Sequence, residues 1–210
     1  DAFWQALMAG QSAIRRLEIP GTADIPAATV SFEPGRWLSK LQMAGTDRVS
    51  QMALGAAKMA MSDAGFGHWP DPERAGLYVG TGMAGAASLD QAYAALYEGR
   101  RIPPLTVPAS MVNGPAAVVA IHTNTQGPVI THAVACASSS VAIAEAAHAL
   151  QRGEIDVALV GGAEALLVRG TVIAWQALGA LARAGFPRDV AEAALDMDAE
   201  DTEMRLAALR

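Results

Sequence analysis

A single cysteine, Cys136, stands between an apolar, β-branched run, Val129-Ile130-Thr131-His132, and an alanine-rich segment that continues from Ser138 to Leu150. The first run has the composition of a strand and the second the composition of a helix, so the thiol sits at a strand-to-helix joint. The first N–H groups of a helix lack intrahelical partners and the helix dipole adds partial positive charge there. Both favour the anionic, nucleophilic sulfur, and the chemistry they suggest is covalent catalysis by thiolate. Ser138, Ser139 and Ser140 are available to cap the first helical turn. The alternative is an inert buried thiol, since free cysteine is among the most buried residue types.

A cysteine nucleophile needs a base within about 3 Å. His132 lies four residues upstream, about 13 Å away along an extended strand at ~3.3 Å per residue. His148 lies twelve residues on, roughly 18 Å along a helix. His122 ends another helix and His68 lies in a loop, so each of the four histidines is expected in a structural or solvent role. Gly80, Gly82 and Gly85 follow a strand and fit a phosphate-cradling template. No following strand ends in the acidic residue that a ribose contact would need, so tight turning is the better use of these glycines.

The elements that must hold these groups are readable in outline. Phe3 to Met8 reads as a short helix. Residues 18–35 read as proline-rich surface connection with at most a short strand near Thr29 to Phe32. Thr46 or Asp47 is a helix N-cap, and Val49, Met52, Ala53, Ala56, Met59, Ala60 and Asp63 recur at helical spacing until Gly65. Ala75 to Val79 is a buried-type strand. Leu89 to Glu98 is a helix, and Pro108 to Thr123 is another, with Gly114-Pro115 demanding a kink or a late start. Val129 to Ala135 and Ile155 to Val160 are strands joined by one helix, which makes them parallel members of a right-handed βαβ unit. Ala163 to Gln176 is expected to cross the top of the sheet, with a loop beginning at Ala177. Asp196, Asp198, Glu200, Asp201 and Glu203 give the C-terminus an acidic, helix-like face with Val190, Leu195, Leu206 and Leu209 free to dock.

The order and spacing of several motifs carry a resemblance. Ala135-Cys136-Ala137-Ser138-Ser139, then Ala142-Ile143 and the run Gly153 to Glu164, resemble the nucleophile segment of the β-ketoacyl-acyl-carrier-protein synthases. Thr46-Asp47-Arg48, Asp63-Ala64-Gly65, Gly80-Thr81-Gly82, Pro108 to Asn113 and Gln126-Gly127-Pro128 match upstream. The likeness covers residues 1–182. The resemblance implies an α/β, thiolase-like αβαβα architecture, of which this is one half: a mostly parallel, mixed sheet flanked by helices. The family's glycine-rich first strand is not found, and residues 183–210 depart from the family pattern.

For function, the resemblance implies a condensing acyltransferase of fatty acid or polyketide synthesis. Cys136 would be the catalytic nucleophile, with its own N–H as one oxyanion donor, and Met111 would line the acyl pocket near a neighbouring subunit, although core packing suits it equally. The acyl donor would be the phosphopantetheine arm of an acyl carrier protein. No cofactor or metal bound by the chain itself is implied. The family uses the Val129 strand to pair across a two-fold axis, so a homodimer or a ketosynthase-like heterodimer is expected. The family's two decarboxylation histidines are not found in this sequence. A noncatalytic chain-length partner subunit is the alternative, which the cysteine disfavours. A thiolase using coenzyme A fits less well, because Ser138-Ser139-Ser140 stand where thiolases place a glycine.

Composition sets the limits. Hydrophobic residues make up 52% and charged ones 17% of 210 residues, enough for a sizeable core and an interface. No apolar run reaches the roughly eighteen residues of a membrane span, and the N-terminus lacks the features of a signal peptide. One cysteine cannot form an intrachain disulfide, which fits the cytoplasm. A net charge of −6 argues against nucleic acid as partner. Any dock for an acidic carrier must then be a local basic patch, for which Lys40, Arg48, Arg100 and Arg101 are the candidates.

Overall fold

The computed structural model describes residues 2–19, 22 and 24–183. The chain divides into two units, Asp1–Val168 and Arg169–Arg210. Of the second unit, helix α8 (Arg169–Arg183) is described, and the acidic C-terminal segment lies outside the described residues.

The first unit is built on three parallel strands. β3 (Ala75–Gly80) lies in the middle, with β4 (Val129–His132) on one side and β5 (Val157–Gly162) on the other. Leu77 is opposite both Val129 and Leu159, and Gly80 opposite both His132 and Gly162. The helix between β4 and β5, α7 (Ser138–Gln151), therefore carries the chain across β3 rather than to an adjacent strand.

Every residue of β3 is buried, and alternation sends its side chains to two different cores. Leu77 and Val79 pack with Leu54 and Ala57 of α3 (Arg48–Asp63) and Ala116 and Val119 of α6 (Gly114–Thr123). Tyr78 packs on the opposite face with Ala142, Ala146 and Ala149 of α7 and with Ile155. The result is a helix–sheet–helix sandwich in which burial of each larger apolar side chain contributes about 1.5–3 kcal/mol.

The expected mostly parallel sheet flanked by helices is present, and among the described residues the antiparallel pairing lies in a separate two-stranded ribbon. β1 (Ile14–Leu17) pairs with β2 (Ile25–Ala28) at Ile14–Ala28 through Leu17–Ile25. A short strand near Thr29 to Phe32 was expected there, and the hairpin stands upstream of it. Pro26 is tolerated in a two-stranded ribbon because a strand with a free side has N–H positions that need no partner.

The helices follow their sequence signals more closely. Asp47 caps α3, its carboxylate accepting the Val49 N–H at 3.0 Å. Ser39 and Gln42 form a capping box on α2 (Lys40–Met43). α1 (Ala2–Met8) and α4 (Ala86–Tyr97) form where expected. The helix expected from Pro108 to Thr123 divides between α5 (Thr106–Ser110), which contains Pro108, and α6, the late start at Gly114-Pro115 placing proline in a first turn. Residues 163–168 are irregular and α8 continues through the 177–182 region where a loop was expected.

Candidate active site

Cys136 is exposed and lies in a single 3-10 turn, Ala135–Ala137, between the end of β4 and the start of α7. The strand stops at His132 rather than reaching Ala135. Ala135 adopts φ +51°, a left-handed conformation unfavourable for a residue with a Cβ, and it turns the chain away from the sheet. The cysteine therefore stands at the tip of an elbow, two residues before the first turn of α7.

The serines do not cap that turn as expected. No side chain among the described residues caps the Ala137 end of α7. Instead, the buried Ser138 hydroxyl holds the elbow together. Its oxygen accepts the Val134 N–H at 2.9 Å, and its proton is directed to the Ala135 carbonyl at 2.7 Å and the Thr81 carbonyl at 3.1 Å. A serine that bonds local backbone in this way stabilises a turn rather than a helix interior.

Two glycines allow this approach. A Cβ on Gly80 would collide with the backbone of Ser138 and Ser139, and one on Gly162 would collide with the Ser139 side chain. The first turn of α7 thus rests directly on the C-terminal ends of β3 and β5. At Gly80 the contact is backbone on backbone, which leaves no flexible atom to move aside.

The glycine turn after β3 is a nest of backbone N–H groups, the geometry that binds anions. Its occupant is internal. Glu164 Oε2 accepts the Gly82 N–H at 2.6 Å and the Met83 N–H at 3.0 Å, and stands 3.4 Å from the Thr81 hydroxyl. The Ala84 N–H donates to that hydroxyl at 3.2 Å. Glu164 occupies the position where a nucleotide phosphate would bind, which agrees with the failed dinucleotide template. Sequence reasoning gave Glu164 no role; the signal was an acidic residue just beyond Gly161-Gly162, in the segment that follows β5.

Met111 follows α5, half exposed, one residue after Ser110. Gly85 lies close against Ser110, so Met111 sits beside the glycine turn. The four basic candidates are all exposed. Lys40 opens α2, and Arg48 opens α3 with its guanidinium 5.8 Å from the Phe32 ring centre. Arg100 is committed to Glu98 at 2.6 Å, whereas Arg101 is adjacent in the loop.

The histidines are held elsewhere. His122 contacts the Val118 carbonyl at 2.8 Å and Gln42 at 2.9 Å, and His148 faces Glu145 at 3.8 Å. His132 stacks on Tyr78 with ring centres 6.4 Å apart, its buried Nε2 without a hydrogen-bond partner among the described residues. Burial, then the nearby Glu154, holds the Tyr78 phenol above its ordinary range, so it stays neutral. No cluster of three metal-ligating side chains occurs among the described residues, and no described helix is long and apolar enough to cross a membrane.

A profile described as "Beta-ketoacyl synthase, N-terminal domain" matches residues 1–199. The chain belongs to the β-ketoacyl synthase family. It is 34% identical to Nodulation protein E of Rhizobium meliloti (strain 1021), over 86% of this chain and 46% of that protein. It is 27% identical to 3-oxoacyl-[acyl-carrier-protein] synthase 2 of the same strain, over 86% of this chain and 47% of that protein. Among solved structures, the ishigamide ketosynthase/chain length factor superposes with a TM-score of 0.71 at 26% identity, over 83% of this chain and 45% of that one. A β-ketoacyl synthase from Burkholderia phymatum STM815 gives a TM-score of 0.69 at 25% identity, over 83% and 45%. This β-ketoacyl synthase chain therefore spans about half the length of the relatives it matches, and its parallel sheet between helices is an α/β, thiolase-like half.

Proposed function

We propose that this chain carries the acylation half of a condensing enzyme, with Cys136 accepting an acyl group from the phosphopantetheine arm of an acyl carrier protein in fatty acid or polyketide synthesis. The observation that carries this reading is the placement of an exposed thiol at an elbow immediately before a helix N-terminus, in a chain of this family. The Cys136 sulfur attacks the thioester carbonyl, and the carbonyl electron pair moves onto oxygen. Collapse of that tetrahedral species expels the phosphopantetheine thiolate, which takes up a proton, and leaves the acyl group on Cys136. The Cys136 backbone N–H and the positive end of the α7 dipole are proposed to stabilise the oxyanion.

Condensation then requires decarboxylation of a malonyl unit, and the carbanion attacks the acyl-cysteine. The histidines that assist decarboxylation in the family have no counterparts among His68, His122, His132 and His148, so the proposal assigns that step to residues outside this sequence. Lys40, Arg48 and Arg101 are proposed to receive the acidic carrier, with Arg100 secondary because of its bond to Glu98. Met111 is proposed to line the acyl channel. Assembly as a homodimer or heterodimer is proposed, the heterodimer supported by similar structures that pair a ketosynthase with a chain length factor, and retention of the cysteine favours the catalytic member over a noncatalytic chain-length partner.

The test is selective labelling. In the full protein at neutral pH, iodoacetamide and the epoxide cerulenin should modify Cys136, located by peptide mass mapping, and Cys136→Ala should lose acyl uptake from an acylated carrier. A folded protein whose Cys136 resists both reagents would overturn the assignment.

A further inference from the structure

Glu164 bridges the segment that follows β5 to the glycine turn that follows β3. A single oxygen, Oε2, gathers the Gly82 and Met83 N–H groups and the Thr81 hydroxyl. Thr81 is itself buried and bonded in two further directions. Its N–H donates to the His132 carbonyl at 3.0 Å, at the last residue of β4. Its carbonyl receives the Ser138 hydroxyl at 3.1 Å. Ser138 in turn holds Val134 and Ala135, the two residues that lead into Cys136. Four bonded links thus run from Glu164 through Thr81 and Ser138 to the backbone that carries the thiol.

The geometry points to Glu164 as a positioning residue for the nucleophile. This rests on the reading of Cys136 as the acyl acceptor and adds to it how the elbow is held in register. Glu164 touches neither the sulfur nor the acyl group. Its charge fills the N–H nest, and charge-assisted bonds of this kind are roughly twice as strong as neutral ones. Without the carboxylate, two loop N–H groups lose their acceptor, and the Thr81 hydroxyl loses the group it donates to, keeping only the Ala84 N–H, while the Thr81 carbonyl still holds Ser138. The elbow can then drift by fractions of an ångström. Acyl transfer depends on placing the sulfur and the oxyanion donors together, and a displacement near 1 Å can cost about a hundredfold. Alkylation by a small reagent needs only an accessible sulfur.

These two reactions separate positioning from folding. In the full protein, Glu164→Ala is expected to slow acylation of Cys136 by an acyl-pantetheine thioester roughly tenfold or more, while iodoacetamide alkylation of the same thiol changes little. Formate added to the Glu164→Ala variant should enter the vacated nest and recover part of the acylation rate. Glu164→Gln, which keeps the shape and one acceptor oxygen but not the charge, should fall between the two. Unchanged acylation in Glu164→Ala overturns the proposal. So does a loss of acylation that tracks lost thermal stability and is not recovered by formate. If the unsubstituted protein takes no acyl group on Cys136, the nucleophile assignment fails first, a result distinct from either of these.

Discussion

The Ser138 hydroxyl lies 3.1 Å from the Thr81 carbonyl, so the first residue of the helix after Cys136 is bonded to the loop that leaves the central strand. The same oxygen accepts the Val134 N–H. Ser138→Ala removes the partner of the half-buried Val134 N–H and of the Ala135 and Thr81 carbonyls, of which the Thr81 contact is buried. We expect a loss of about 1–3 kcal/mol in stability, read as a lower urea midpoint at constant slope, and a slower acyl transfer to Cys136. An unchanged midpoint would show that the elbow does not depend on this hydroxyl.

Asp47 is almost fully buried, and its two oxygens divide their work. One caps α3 at Val49; the other accepts the Ser88 N–H at 2.8 Å and the Ser88 hydroxyl at 2.6 Å in the first turn of α4. Asp47→Ala leaves three donors short of an acceptor and should cost about 2–4 kcal/mol. Ser88→Ala should cost less, since the Ser88 N–H keeps its acceptor. Equal midpoints for the two variants would refute this division.

Gly80 and Gly161 differ in what a methyl group would meet. At Gly80 it strikes the Ser138 and Ser139 backbone, whereas at Gly161 nothing lies within 4 Å. Gly80→Ala should destabilise by more than about 2 kcal/mol, and Gly161→Ala should stay within roughly 0.5 kcal/mol of the parent. Thermal melts of the pair provide the comparison.

Arg74 bonds Asp156 at 2.6 Å, joining the start of β3 to the loop before β5, and Arg152 bonds Glu154 nearby. The Arg74 hydrogen bond lowers the Asp156 carboxyl below its ordinary value, and Arg152 does the same for Glu154. A carboxylate with a depressed folded value binds protons more weakly than in the unfolded chain. Its stabilisation is present at neutral pH and is lost as pH falls through the carboxylate range. Both pairs are exposed, so the effect is small and screened by salt. Asp156→Asn should flatten the acid limb of a stability profile measured at low ionic strength; an identical limb would discount the pair.

Reversal of Lys40, Arg48 or Arg101 to glutamate should weaken carrier-protein binding by about 1 kcal/mol each, roughly fivefold, with the salt dependence reduced. Arg100→Glu should do less, because Glu98 already neutralises that guanidinium. Titration calorimetry against an acylated carrier separates the four. Unchanged affinity in all of them would move the dock elsewhere.

Local signals made much of this fold legible. Asp47, the apolar spacing of α3 and Gly65 agree on one helix, and Gly114-Pro115 marks a helix start because proline fits only a first turn. The β1–β2 hairpin was hidden because residues 18–35, with Pro26 among them, read as surface connection, and only cross-strand pairing shows otherwise. β4 stops short because Ala135 turns left-handed, a conformation that no alanine announces. The elbow around Cys136 was visible as a change of period at one thiol. The Glu164 bridge was not, because its partners are backbone N–H groups more than eighty residues away, which carry no side-chain signature.

The middle strand of the sheet is the earliest of its three strands in the chain. During synthesis, β3 leaves the ribosome with neither neighbour made, and it stays unpaired until Val129 and then Val157 follow. An apolar strand with two open sides is a template for wrong partners in that interval, and distant parallel pairing closes slowly. One side of β3 therefore stays open until β5 has followed α7 out of the ribosome.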